Sequence, residues 1–265
     1  PNGPTADNIA KRFGITREDC DAFAVDSHRK GAIGYQNHVF DSQILPVEVP
    51  LKGGKTMIFD RDEPLRDDCN MESLAKLKPS FGPDGVSTAG NSSPLVDGAS
   101  CVIVMEREKA EKMGLKIMAI VENFADAGCE PEIMGEGPVH ACRKLFKKTG
   151  LTWDDIDLIE MNEAFAAQSV HCIRQLDMPV EKLNVNGGAI AIGHPSALNK
   201  VLPSGAVNLS SINLDAALAT MLGVEWARYG YLGDYMGVRL MPLVDAIVPG
   251  TQNTTVTTML SDSTV

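Results

Sequence analysis

The 265-residue chain is 44% hydrophobic but only 5% aromatic, with 24 glycines and 15 prolines, a composition that excludes a disordered or fibrous chain and suits one large α/β domain or two smaller ones. A formal net charge of -11 argues against DNA, RNA or an anionic membrane surface as partner, because neutralising phosphates needs clustered Lys and Arg. Six cysteines with no C-x-x-C pair suggest neither a zinc site nor a redox dithiol, and no apolar run is long enough to span a bilayer.

In chain order, "TADNIAKRFG" reads as a helix with Thr5 as N-cap and Gly14 as C-cap, and "TREDCDAFAVDSHRKGAIG" as a second, capped by Thr16 with Phe23 and Ala24 facing inward. "QILPVEVPL" suits an edge strand, since Pro46 and Pro50 cannot both serve a central ladder. Phe59 to Lys78 is charged and irregular and ends in a short helix, "MESLAKL". The β-branched run from Ala99 to Met105 predicts a buried strand feeding a helix that ends at Gly114. "KIMAIVENFADAG" predicts another strand, and "GEGPVHACRKLFKKTG" a helix closed by Gly150, its "RKLFKK" being a solvated face. Thr152 to Asp155 forms a box-like cap, followed by a strand "DLIEMN", a helix "EAFAAQSVHCIRQL" with Ala166, Val170 and Ile173 on one stripe, and a strand "KLNVNG". Such alternation predicts a sheet layered between helices.

Two features bear chemistry. In "MNEAFA", Asn162 ends a strand and Glu163 opens a helix, at the carboxyl edge where open α/β sheets bind ligands; in "GHP", His194 follows a glycine-rich turn at the end of the next strand. An amide and an imidazole meeting there can polarise a carbonyl oxygen. Taken singly, each has a plainer reading: His194 as a satisfied buried imidazole, Asn162 as an N-cap.

The motifs "TADNIAKRFGITREDCDAFAVDSHRK", "TAGNSSPLVDGAS", "MNEAFAAQ" and "NVNGGAIAIGHP", in this order between about Thr5 and Pro195, closely resemble thiolases, the acetyl-CoA acetyltransferase and 3-ketoacyl-CoA thiolase group. The resemblance implies a layered αβαβα fold of two similar halves with a mostly helical loop domain inserted in the first. Residues 1–95 would be most of that loop domain on the coenzyme A side, 96–117 the last strand and helix of an incomplete first half, and 118–265 the second half, with a divergent tail from 196. It also implies coenzyme A or acyl-CoA as substrate with no permanently bound cofactor or metal, and a homo-oligomer or a partner supplying the missing half. The compartment would be a reducing one, cytoplasmic or an organelle matrix.

Residue by residue, the resemblance gives His194 a part in activating a nucleophilic thiol and in an oxyanion hole, and Asn162 the water that completes that hole. Arg66 in "DEPLR" would lie beside the nucleotide end of the coenzyme, Ser93 in "GNSS" near the pantetheine, and Phe81 and Met134 along the tunnel walls, with Ala164 and Phe165 of "NEAFA" also at the substrate. A solvated Arg66 and core positions for Phe81 and Met134 are the plain alternatives.

Two departures stand out. The family's nucleophilic cysteine belongs upstream of the segment matching Thr5, and Cys101, Cys142 and Cys172 fall in a predicted strand and helices where packed thiols are inert. After Gly193-His194-Pro195 the family continues to a Cys-x-Gly loop, whereas this chain continues "SALNKVLPSGAV" and has no cysteine after Cys172. The opening "PNGPTADN" carries neither a Met nor a signal-like apolar region, so the chain is expected to begin inside a longer protein.

Overall fold

Pro4 fits the first turn of a helix, where its missing N–H has no partner to lose, and helix α1 accordingly runs Asn2–Phe13. Thr5 therefore lies inside the helix instead of capping it, its hydroxyl donating to the Asn2 carbonyl at 2.6 Å. Gly14 takes φ +67 behind it, the left-handed turn that a glycine accepts without strain. Helix α2, Arg17–Gln36, starts as expected: the Thr16 hydroxyl accepts from Asp19 N, and the Asp19 carboxylate accepts from Thr16 N at 3.0 Å. The computed structural model describes residues 2–94, 96, 103–117 and 119–193, and two short strands, Arg239–Leu240 and Thr258–Met259.

Strands β1 (Val47–Pro50) and β2 (Thr56–Phe59) form an antiparallel hairpin, so the expected edge strand has one neighbour. Helix α3, Met71–Ala75, is only five residues long, and the Arg17 guanidinium donates to the carbonyls of Leu74 and Leu77 near its end. Helix α4 is Arg107–Lys112, with Gly114 at φ +65 behind it. A 3-10 segment, Pro131–Glu136, leads into α5, Gly137–Thr149, which Gly150 closes in the left-handed conformation. The Thr152–Asp155 box caps a 3-10 turn, Trp153–Asp155. Helix α6 is Ala166–Leu176, and α7 is the single turn Ala189–Ile192. The remaining strands, β3 (Arg239–Leu240) and β4 (Thr258–Met259), pair antiparallel.

Helix α6 is apolar on two sides and stands between two cores. On one side Ala166, Ala167 and Val170 pack with Ile9, Ala10, Ala24, Ile133 and Ile190; on the other Cys172 and Leu176 pack with Val139, Ile156, Ile159 and Leu183. Phe23, half-buried, touches both cores, and fully burying one such large side chain contributes about 1.5–3 kcal/mol.

The expected strands meet a different fate. Segments 157–162 and 182–187 run alongside each other in parallel, through a bridge between Ile159 and Leu183 with Ile159 N donating to Lys182 O and Asn184 N donating to Ile159 O. Among the described residues, 103–105 and 116–128 form no strand, and Ile103, Val104, Ile120, Val121 and Phe124 are exposed. Their β-branched composition favours a ladder, but among the described residues no strand pairs with them.

Candidate active site

The centre of the site is an antiparallel strip that joins two distant motifs. Ser92 bridges Phe165, Ser93 N donates to Ala164 O at 3.1 Å, and Ala166 N donates to Asn91 O at 2.9 Å. This pairing keeps the chain extended through Phe165, the N-cap of α6, so Glu163 does not open that helix as the sequence suggested. The strip itself rests on Asn91, whose buried amide donates to Asp21 at 2.8 Å and to Val86 O while accepting from Thr88 N. Asp21 is in turn paired with Arg17 at 2.8 Å, which ties the strip to α2.

Four of the expected site residues meet here. The Ser93 hydroxyl lies 3.3 Å from Ala164 O, and the Phe165 ring meets the Phe81 ring edge-on at 5.9 Å between centroids. Asn162 is buried two residues before Ala164. Met134 is half-buried, and its carbonyl accepts from the Cys129 thiol at 3.4 Å. Arg66 is exposed and held from α2: its N–H donates to His28 Nδ1 at 3.2 Å, and its guanidinium donates to Glu63 O at 3.0 Å. His194 falls outside the described residues; the chain is described up to Gly193, which adopts φ +90 behind α7.

Residues with no expected role organise the surroundings of Asn162. The Glu163 carboxylate accepts from the Ser27 hydroxyl at 2.6 Å, from Asn184 Nδ2 at 2.8 Å and from Ile190 N at 3.0 Å. Ser27 Oγ accepts from Gly188 N at 3.1 Å, so one hydroxyl links α2, the carboxylate and the glycine turn. The two glycines allow this approach: a Cβ on Gly188 would fall inside the Glu163 carboxylate, and one on Gly187, at φ +81, would stand 2.7 Å from Ser27 O and Gly31 N. The sequence signals were a charged Glu next to Asn162 in an otherwise apolar stretch and a Gly-Gly pair, since the partners lie far apart along the chain.

Burial sets the state of the thiols and imidazoles. It pushes the Cys20 thiol up to about 12 and raises Cys69, Cys129 and Cys172 as well, so these sulfurs stay protonated near neutrality. His28 is lowered by burial and by the Arg66 charge, which fits a neutral ring accepting at Nδ1.

Known proteins give the geometry a context. The thiolase N-terminal domain model matches residues 1–108 and the thiolase C-terminal domain model residues 115–214, past the last motif at Pro195. The chain is 48% identical over 193 residues to an acetyl-CoA acetyltransferase of Chromobacterium violaceum, covering 73% of this chain and 49% of that protein. It is 50% identical over 197 residues to a 3-ketoacyl-CoA thiolase of Aliivibrio fischeri, covering 73% and 51%. The crystal structure of the Bacillus anthracis acetyl-CoA acetyltransferase superposes with a TM-score of 0.67 at 42% identity, over 73% of this chain and 49% of that one. Human mitochondrial 3-ketoacyl-CoA thiolase superposes with a TM-score of 0.69 at 38% identity, over 82% and 52%. The chain thus spans about half the length of the relatives it matches.

Proposed function

Since the chain belongs to the thiolase family and shares its fold, we propose that it supplies the coenzyme side and the second half of an acyltransferase acting on acyl-CoA. The reaction is thiolytic cleavage of a 3-ketoacyl-CoA or the reverse Claisen condensation. The relatives named acetyl-CoA acetyltransferase and 3-ketoacyl-CoA thiolase support this reading. The observation that carries it is the antiparallel strip, which brings Ser93 of "GNSS" against Ala164 and Phe165 of "NEAFA", beside the Phe81 ring.

In this reading the Asn162 amide holds a water that, with His194, forms a preorganised oxyanion hole for the thioester oxygen. Ser93 meets the pantetheine, Phe81, Met134, Ala164 and Phe165 wall the channel, and Arg66 takes a phosphate or the adenine face. Residues 1–95 act as the loop domain, 96–117 as the end of the first half and 118–265 as the second half.

The acyl group must ride on a nucleophile while one coenzyme leaves and another enters. Buried, protonated thiols such as Cys20 and Cys172 are poor candidates, so the nucleophile comes from a segment or partner supplying the rest of the first half. A partner carrying the missing half makes a hetero-assembly, whereas a homo-oligomer requires the missing segment in each copy; the free cysteines suit a reducing compartment. Residues 1–265 alone should show no thiolysis of acetoacetyl-CoA; turnover by this chain that His194→Ala abolishes would overturn the missing-nucleophile reading.

A second reading, a non-catalytic coenzyme-A-binding or assembly protein, is favoured by the state of those thiols. It is separated from the first by assaying turnover in the complete assembly. Coenzyme A binding tests both: Arg66→Ala should weaken coenzyme A by about 1–3 kcal/mol and leave pantetheine unchanged. Equal losses for the two ligands would remove Arg66 from the nucleotide site.

A further inference from the structure

Glu163 directly follows Asn162 and is only 1% exposed. The residue before Asn162 is also fixed. Asn184 Oδ1 accepts from Met161 N at 2.8 Å, and Asn184 Nδ2 donates to Met161 O at 2.9 Å. Asn162 therefore sits between a backbone unit gripped on both its polar atoms and a carboxylate gripped by three donors. The same carboxylate, with Ser27, also holds Ile190 N and Gly188 N at the start of α7, the turn that ends at Gly193 immediately before His194 in the sequence.

We infer that Glu163 is a positioning residue of the acyl-transfer site, a double-sided acceptor that fixes Asn162 and the start of α7 relative to each other and, through Ser27, relative to α2. The inference rests on the proposed acyl-transfer reading for its catalytic consequence, but not for the clamp itself.

The chemistry requires a carboxylate and not merely a side chain of that shape. Both oxygens accept, and a glutamine in its place presents an NH2 on one side. If that NH2 faces Asn184, two donors confront each other, and Asn184 cannot turn its amide over without losing both bonds to Met161. If it faces Ser27 and Ile190, the Ile190 N–H loses its acceptor. Buried donors left unpaired in this way force the turn to move.

The test is Glu163→Gln in the complete assembly containing this chain, read by peptide-resolved amide hydrogen exchange and by steady-state thiolysis. The expected result is faster exchange confined to the peptides covering 184–193, with kcat about tenfold to 100-fold lower and KM for the acyl-CoA within about twofold. Ser27→Ala keeps the carboxylate and removes the link to α2 and Gly188, and should move both readouts in the same direction by less. Wild-type exchange at 184–193, or kcat within about twofold of wild type, overturns the inference. A uniform rise in exchange over the whole chain in both variants overturns it as well, by assigning Glu163 to the fold alone. If the wild-type assembly shows no turnover, the acyl-transfer reading fails, and the exchange pattern still decides whether the clamp exists.

Discussion

The pocket around Glu163 and the stretch from Ile103 to Phe124 invert the usual relation between polarity and burial. Glu163, Asn184 and Ser27 are almost wholly buried, yet Ile103 is 61% exposed and Phe124 52%. The polar residues are buried because every partner they need arrives from another part of the fold: α2, the turn before α7 and the backbone of Met161. The apolar residues stay outside because a β-branched segment is buried by neighbouring strands and helices, and among the described residues no strand pairs with 103–105 or 119–124. Burial here follows the supply of complementary neighbours more than the transfer preference of the side chain.

The largest effect expected from breaking this comparison is in the packed region. Leu183 is buried between Ile156, Ile159 and Leu176, and Leu183→Ala should lower unfolding free energy by about 2–5 kcal/mol in urea denaturation. Ser27→Ala should cost about 1–3 kcal/mol, because it leaves the Gly188 N–H without its acceptor in a buried place. A loss under about 0.5 kcal/mol would mean that water enters the pocket and takes over the bond.

Acid should sharpen the contrast next. Burial holds His171 below its ordinary value against the pull of Glu136, 3.8 Å away, and the ring packs on Phe13 at 4.1 Å between centroids. His28 is lowered likewise. Between the lowered folded values and about 6.5 the unfolded chain binds more protons, so stability is full above about pH 6.5 and falls as pH drops through that window, by at most about 1.4 kcal/mol per unit for each proton. Carboxylates add a separate loss lower down. Asp19 is held below its ordinary value by the Thr16 N–H and then by Arg174, and its contribution is present above about pH 4 and disappears below it. Urea unfolding at pH 7.5 and 5.5 checks the first window, and His171→Phe should flatten part of it.

The smallest expected effect falls on the exposed stretch. Ile120→Ser with Val121→Ser should change unfolding free energy by no more than about 0.5 kcal/mol while reducing binding of a hydrophobic dye. A loss of several kcal/mol would show that these residues already have a packed neighbour.

What could be read from the sequence divides along the same line. The Thr16 cap, the Thr152 box and the Gly150 closure depend on residues three or four apart, and local spacing revealed them; of the expected α6 stripe, Ala166 and Val170 share one core while the half-buried Ile173 packs against the other. The strands at 99–105 and 116–128 depended on neighbours that spacing cannot supply; the described parts form none, and Ala99 to Val102 lie outside the described residues. Asn162 was legible as an amide at a strand edge, whereas Ser93, Ala164, Phe165 and Phe81 stood out only through a family resemblance, and the strip at 91–93 and 164–166 explains why these four meet. Glu163 was read as the first residue of a helix because its three donors come from positions that no local pattern connects.

The bond from Gly188 N to Ser27 also has a meaning in time. Those residues are 161 positions apart, and the Glu163 carboxylate between them follows Ser27 by 136. At a synthesis rate of about 5–20 residues per second, α2 emerges roughly 8–30 seconds before the turn that completes its buried face. During that interval the Ser27 side of α2, and the α1 residues Ile9 and Ala10 that await Ala166 and Val170, are uncovered in a nascent chain still on the ribosome. Pausing translation between Asn91 and Glu163 should therefore increase aggregation of the product more than a pause after Gly193.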